Sequence, residues 1–251
     1  VTVAPPPRAA TGVLPMRTLT RVECDEQLSA LLWRAGSGWR MISSAVLGGG
    51  IGERSWVLNA QVSHGYSRTD PDAHLARLAQ EAGARGPGVG LMTAADVLRY
   101  GRGDDDGVEA VVTAGLGVHG WAATPAPGTP LPPAPGTINI IAALPTALTD
   151  AALVNAATTA TEAKVQALLD CGYDCSGTPT DAVCVAAWIP RSGEEPQSFA
   201  GPRSLWGARL ARAVHAAVCA AVEPVRGGSR TSAAAMADPR RRDSVPRQQQ
   251  P

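Results

Sequence analysis

The sequence predicts an α/β domain in which a mixed β-sheet is covered by helices, and three observations predict it. Short apolar runs rich in Val and Ile recur along the chain, several of them ending in Gly or Pro as buried strands do. Longer Ala- and Leu-rich segments with helical periodicity alternate with those runs. Capping residues and an early proline stand at the starts of the longer segments.

Taken in order, the pattern predicts a helix over 23–34 and strands over 40–47 and 55–62. A helix over 72–84 follows, with Thr69-Asp70-Pro71-Asp72 supplying a cap and a proline at its start. A strand at 89–92 and a helix at 94–100 come next, then strands at 109–114 and 136–144. A long helix over 150–171 is capped by Thr149 or Asp150. A strand at 182–189 and a helix at 202–222 complete the set. The mixture implies strands of both directions in one sheet. The Pro/Gly-rich stretch 124–136 reads as a long surface loop within one domain. The folded domain spans 17–224 without internal repeats, after a loose Pro-rich N-terminus, 1–16. Residues 225–251 have the composition of a disordered tail.

The chain has 251 residues, enough for one sizeable core, and a formal net charge of zero. That balance argues against general binding of nucleic acid or of a membrane surface. The charge is uneven: the last 26 residues carry six Arg and two Asp. No apolar run reaches the roughly 20 residues of a bilayer span, so no membrane insertion is expected. The N-terminus lacks the order of a signal peptide, and a cytoplasmic protein is expected. The five cysteines and four histidines are scattered without metal-ligand spacing, so no protein metal site is expected. Reduced, mostly buried thiols are the reading of the cysteines. One lysine, Lys164, stands against 21 arginines, and a lysine that survives such a bias invites scrutiny.

On a helical wheel of 150–171, Asn155, Thr158, Thr159, Glu162 and Gln166 share one narrow face. Leu153, Ala156, Ala160, Ala163, Ala167 and Leu168 form the opposite face, with Lys164 in its middle. Glu162 and Lys164 are two residues apart and point to different sides. Two readings follow. In one, the polar stripe is solvated and Lys164 snorkels past small alanines. In the other, the stripe lines a pocket and Lys164 is buried against an acidic partner, because an unpaired buried ammonium is too costly. Asp181 is the first partner to test, at the end of Ser176-Gly177-Thr178-Pro179-Thr180 and just ahead of an apolar strand. A plain turn residue is its alternative reading.

Two glycine loops follow strands. In Ser43-Ser44-Ala45-Val46-Leu47-Gly48-Gly49-Gly50, consecutive glycines let backbone N–H groups approach an anion or oxyanion, or form a tight turn. Thr113-Ala114-Gly115-Leu116-Gly117 is the second. Neither is a P-loop or a dinucleotide fingerprint. Two such loops beside one polar helix suggest a preorganised pocket.

At these residues the chain resembles the adenosylcobinamide amidohydrolases, the CbiZ-type corrinoid-salvage enzymes. Four blocks carry the resemblance, in order over about 40–222. The first is Ser43-Ser44-Ala45 with Gly48-Gly49-Gly50, Asn59, Val62 and Tyr66. The second runs from Gly90 to Val97, and the third is Thr113-Ala114-Gly115. The fourth joins Gly136-Thr137-Ile138-Asn139, Thr149 to Asn155, Thr159-Ala160-Thr161-Glu162-Ala163-Lys164 and Gly177-Thr178-Pro179-Thr180-Asp181. The family commonly has an Asn shortly after the third block, where this chain has Leu116-Gly117-Val118-His119.

The resemblance implies hydrolysis of the amide joining aminopropanol to the corrin f side chain of adenosylcobinamide. The products are adenosylcobyric acid and 1-amino-2-propanol, which feed coenzyme B12 synthesis. The partner is then a small-molecule corrinoid whose cobalt belongs to the substrate, with no further cofactor. Oligomeric state is left open. A non-catalytic corrinoid carrier is the alternative. Amide hydrolysis needs an activated nucleophile, stabilisation of the oxyanion and a proton for the amine. In one scheme Glu162 activates water while glycine-loop amides or Asn139 hold the oxyanion. In the other, Thr159, Thr161, Ser43 or Ser44 attacks with Lys164 as base. The candidate catalytic residues are therefore Glu162, Lys164, Asp181, Thr159 and Thr161. The candidate substrate-binding residues are Ser43, Ser44, Gly48, Gly49, Gly50, Asn59, Thr113, Asn139 and Asn155.

Overall fold

The computed structural model describes residues 14–123 and 136–222. The expectations for 1–13, for the 124–135 loop and for 223–251 lie outside the described residues. Ten strands and three helices run in the order β1 (Arg17–Glu23), β2 (Glu26–Trp33), β3 (Trp39–Ser43), β4 (Gly50–Glu53), β5 (Trp56–Gln61), α1 (Pro71–Glu81), β6 (Gly88–Thr93), β7 (Gly101–Asp105), β8 (Val108–Leu116), β9 (Gly136–Ala147), α2 (Asp150–Asp170), β10 (Ala182–Trp188) and α3 (Leu205–Val222).

The strands divide between two sheets, ordered β1-β2-β5-β6 and β4-β3-β10-β9-β8-β7. Both are mixed: β5–β6 and β9–β10 are parallel and the other pairs antiparallel. Three apolar clusters define four layers. Leu32, Leu58 and Ala60 pack on Leu75 and Leu78 of α1. Leu31 and Val57 of the small sheet meet Met41, Val111, Ile141 and Cys184 of the large one. Ile138, Ile140, Ala142 and Val185 pack on α2 and α3. The alternation along β9 is the strand period of two: Ile138, Ile140 and Ala142 face the helices, and Ile141 and Ala143 face the second sheet. Buried on both sides, β9 reads as an uninterrupted apolar run, as central strands do.

The expected helix over 23–34 is instead the β1–β2 hairpin. Cys24 and Asp25 both have positive φ, the backbone of a tight two-residue hairpin turn, and Glu23 pairs with Glu26 across it. Leu28–Trp33 is buried on both faces, so its apolar run had no strand alternation to show. The expected helix at 94–100 is a series of turns. Thr93 Oγ1 accepts from Ala95 N and Asp96 Oδ1 from Leu98 N, local bonds that compete with the helical ladder. The polar strand β7 lies under α3. A Cβ on Gly101 or Gly103 would fall 2.0 Å or 2.1 Å from the Ala217 or Ala213 carbonyl oxygen, so these glycines bring helix and strand backbones together. Helix α2 is capped by Thr149, whose Oγ1 accepts from Ala152 N at 3.1 Å.

Candidate active site

The two sheets part at one end to leave a cavity of about 440 Å³. Its wall comes from the segment after β3 (Ser44–Val46), the ends of β5 and β6 (Val62, Thr93), the start of β9 (Thr137, Asn139) and the turn into β10 (Thr180–Ala182). Asp181 is the single ionisable side chain among these lining residues.

Asp181 is half-buried and engages Lys164, the chain's lysine, in a salt bridge. Lys164 is 6% exposed, held on the inner face of α2 among the alanines that let sheet and helix approach. The Asp181 carboxylate accepts three further hydrogen bonds: from Ile138 N at 2.9 Å, Thr178 N at 3.2 Å and Thr178 Oγ1 at 2.5 Å. Its oxygens are thus surrounded by donors, the condition under which a carboxylate stays charged away from bulk water. Gly177 makes the pair possible: a Cβ there would lie 2.2 Å from Asp181 Oδ2 and 2.5 Å from Lys164 Nζ. Beside it, Thr180 donates to Gly136 O at 2.9 Å, so Thr137 supplies the proton of the 2.6 Å Thr137–Thr180 hydroxyl contact.

Deeper in, a buried chain of amides links the sheets. Asn139 Nδ2 donates to Asn59 Oδ1 at 2.9 Å and to Met92 O at 3.0 Å, and Asn59 Nδ2 donates to Thr113 Oγ1 at 2.9 Å. Asn139 and Asn59 are each 1% exposed and Thr113 fully buried. Asn139 Oδ1 has no hydrogen-bond partner among the described residues.

The remaining sequence candidates fall elsewhere. Glu162 is exposed on α2 and is not part of the wall of the inter-sheet cavity. Thr161 is exposed and returns its hydroxyl to Ala157 O. Thr159 is buried, donating to Ala200 O, while Asn155 Oδ1 accepts from Ala200 N. The inner part of the polar stripe therefore fastens the segment leading into α3. With both threonine hydroxyls spent on carbonyls and Lys164 paired to Asp181, the geometry offers no threonine–lysine couple. Nor does Asn139 suit the oxyanion, since both its amide protons are taken.

The serines and glycines mostly organise backbone. Ser43 Oγ donates to Val183 O and accepts from Ala45 N. Ser44 Oγ accepts from Val183 N, and its own proton has no acceptor among the described residues. Gly48, at φ +70°, crosses β6 so closely that a Cβ would lie 1.9 Å from Gly88 O, and a Cβ on Gly49 would lie 2.5 Å from Ala45 O. Gly50, at φ +79°, opens β4. His119 is exposed, with Nδ1 2.9 Å from Leu116 O and its ring edge-on to Tyr173. Burial raises the Cys175 thiol above its usual range and drives Cys184 up to about 12, so neither is disposed to act as a thiolate. No three His, Cys, Asp or Glu side chains converge on a metal-sized site among the described residues. Thr93, Thr137, Thr178 and Thr180 enter the site as partners that only the fold assigns. Thr178 and Thr180 carried a sequence signal, the threonine-rich approach to Asp181.

Comparison with known proteins bears on the family. A family model described as adenosylcobinamide amidohydrolase matches residues 15–229. An adenosylcobinamide amidohydrolase from Methanosarcina mazei is 32% identical over 187 residues, covering 72% of this chain and 88% of that protein. Among solved structures, a protein from Pyrococcus horikoshii OT3 covers 84% of each chain at 14% identity, with a TM-score of 0.46. The family match takes in every described element of both sheets and all three helices, so this chain belongs to the adenosylcobinamide amidohydrolase family.

Proposed function

We propose that the protein hydrolyses the aminopropanol amide of adenosylcobinamide, releasing adenosylcobyric acid and 1-amino-2-propanol for corrinoid salvage. The observation that carries this reading is the placement of a single carboxylate, Asp181, in the inter-sheet cavity, backed by the chain's lysine. The corrin macrocycle is too large for about 440 Å³, so the ring rests at the mouth and only the amide arm enters.

In this reading Asp181 is the general base. It exchanges the Thr178 hydroxyl bond for a water, takes one proton as the water oxygen bonds to the amide carbon, and passes that proton to the nitrogen as the C–N bond breaks. Lys164 holds the carboxylate oriented through their ion pair. The unengaged Ser44 hydroxyl at the rim donates to the oxyanion. The reaction needs no cofactor, and cobalt arrives with the substrate. The test is incubation of the purified protein with adenosylcobinamide, followed by mass spectrometry for the two products. Asp181→Asn should lower turnover by at least about 100-fold. Adenosylcobinamide bound but recovered unchanged by the wild type would favour the carrier reading instead.

A further inference from the structure

The floor of the cavity holds one polar atom whose chemistry is fixed and unused. Asn139 is 1% exposed, and its side-chain orientation is not arbitrary. Met92 O is a backbone carbonyl and can only accept, so the Asn139 atom 3.0 Å from it is the nitrogen. The same nitrogen gives its second proton to Asn59 Oδ1. That donor fixes Asn59 Oδ1 toward Asn139 and leaves Asn59 Nδ2 to donate to Thr113 Oγ1. The atom left over is Asn139 Oδ1, a pure acceptor with no partner among the described residues, on a residue that lines the cavity. A buried unsatisfied carbonyl oxygen is costly, and native proteins keep one where a ligand completes it.

The ligand group must therefore be a hydrogen-bond donor. Among the polar side chains of the wall, exposure falls from Thr180 and Asp181 at the mouth to Thr137 at 9%, Thr93 at 2% and Asn139 at 1%, so Asn139 is the least exposed of them. An amide arm hanging from a macrocycle outside enters with its amino-alcohol end first. The scissile carbonyl then stops beside Asp181 and Ser44, and the terminal hydroxyl reaches the floor. We propose that Asn139 Oδ1 accepts the hydroxyl of the amino-alcohol and makes the enzyme selective for hydroxyalkyl amides. This rests on the amidohydrolase reading above and adds the determinant of its leaving group. Asn59 and Thr113 are positioning residues that keep the acceptor pointing inward.

The experiment compares two corrinoid substrates of the purified full chain: adenosylcobinamide, and the same adenosylcobyric acid amide made with propylamine, which lacks only the hydroxyl. The wild type should hydrolyse the propylamide with kcat/KM lower by roughly 10-fold or more, because the floor acceptor is left unpaired. Asn139→Ala, checked for native circular dichroism, should treat the two amides alike within about 3-fold. Equal hydrolysis of both amides by the wild type overturns the inference and leaves the amidohydrolase reading standing. A folded Asn139→Ala that keeps the preference removes Asn139 from the role. Hydrolysis of neither amide overturns both readings. The wild-type comparison decides the selectivity even if the variant does not fold.

Discussion

Replacing Lys164 with methionine removes the ammonium of the Lys164–Asp181 pair while keeping a side chain of similar length. The side chains of the pair are 8% and 13% exposed, so the carboxylate left behind gains little from solvent. Removing one partner of a buried pair costs about 3–5 kcal/mol. Asp181 retains its bonds from Ile138 N, Thr178 N and Thr178 Oγ1, which places the expected loss near the lower bound, about 3 kcal/mol. For a domain of this size that corresponds to a Tm lower by roughly 6–12 °C. Urea titration of the wild type, Lys164→Met, Asp181→Asn and the double variant measures it. The double variant should be less destabilised than the sum of the singles by at least about 1 kcal/mol, since it leaves no uncompensated charge. A Lys164→Met protein within about 0.5 kcal/mol of the wild type, with an unchanged m-value, would refute the buried-pair argument.

Three further outcomes are expected. Glu162→Gln should leave kcat/KM within about 3-fold of the wild type, because Glu162 is exposed and outside the wall of the inter-sheet cavity; a loss near 100-fold would return it to the mechanism. Gly48→Ala should destabilise by at least about 3 kcal/mol or prevent folding, since its Cβ would meet Gly88 O at 1.9 Å on a left-handed backbone; a Tm matching the wild type would contradict that packing. Burial, opposed by Glu23 whose Oε1 lies 3.0 Å away, pulls the fully buried His74 imidazole below its ordinary value. The unfolded chain then binds the His74 proton more readily than the folded one. Stability present above the unfolded pKa of about 6.5 is lost as pH falls through the lower folded value. The Tm of the wild type should fall more steeply than that of His74→Gln between about pH 7 and 5, and parallel curves would count against it.

How much of this was legible depended on how far the controlling interaction lay along the chain. The wheel placed Lys164 on the apolar face of α2, where burial would require an acid from elsewhere, and Asp181 supplies it 17 residues on. The same wheel grouped Asn155, Thr159 and Glu162 correctly. It had no means of knowing that Ala200 would cover the first two and leave Glu162 in solvent. The β1–β2 hairpin was missed because its turn is Cys24-Asp25, without the glycine or asparagine that announces positive φ. The glycine loop read as an anion cradle or a tight turn, and in the fold Gly48 turns close against the backbone of Gly88.

The sequence by itself determined the α/β class, the long helix with its cap and the family blocks; it offered a buried Lys164–Asp181 pair as one of two readings, and the fold chose it. These follow from periodicity, turn chemistry and charge burial, which act within a segment or forbid an alternative outright. Only the tertiary structure decided that the strands form two stacked sheets and that the stack leaves a cavity at one end. It also decided that Asn59, Thr113 and Asn139, from strands far apart in sequence, meet across the gap with a single acceptor to spare. Strand periodicity tells each residue which face it is on; which other face it meets is set by sheet pairing and layer packing, and those are properties of the whole chain.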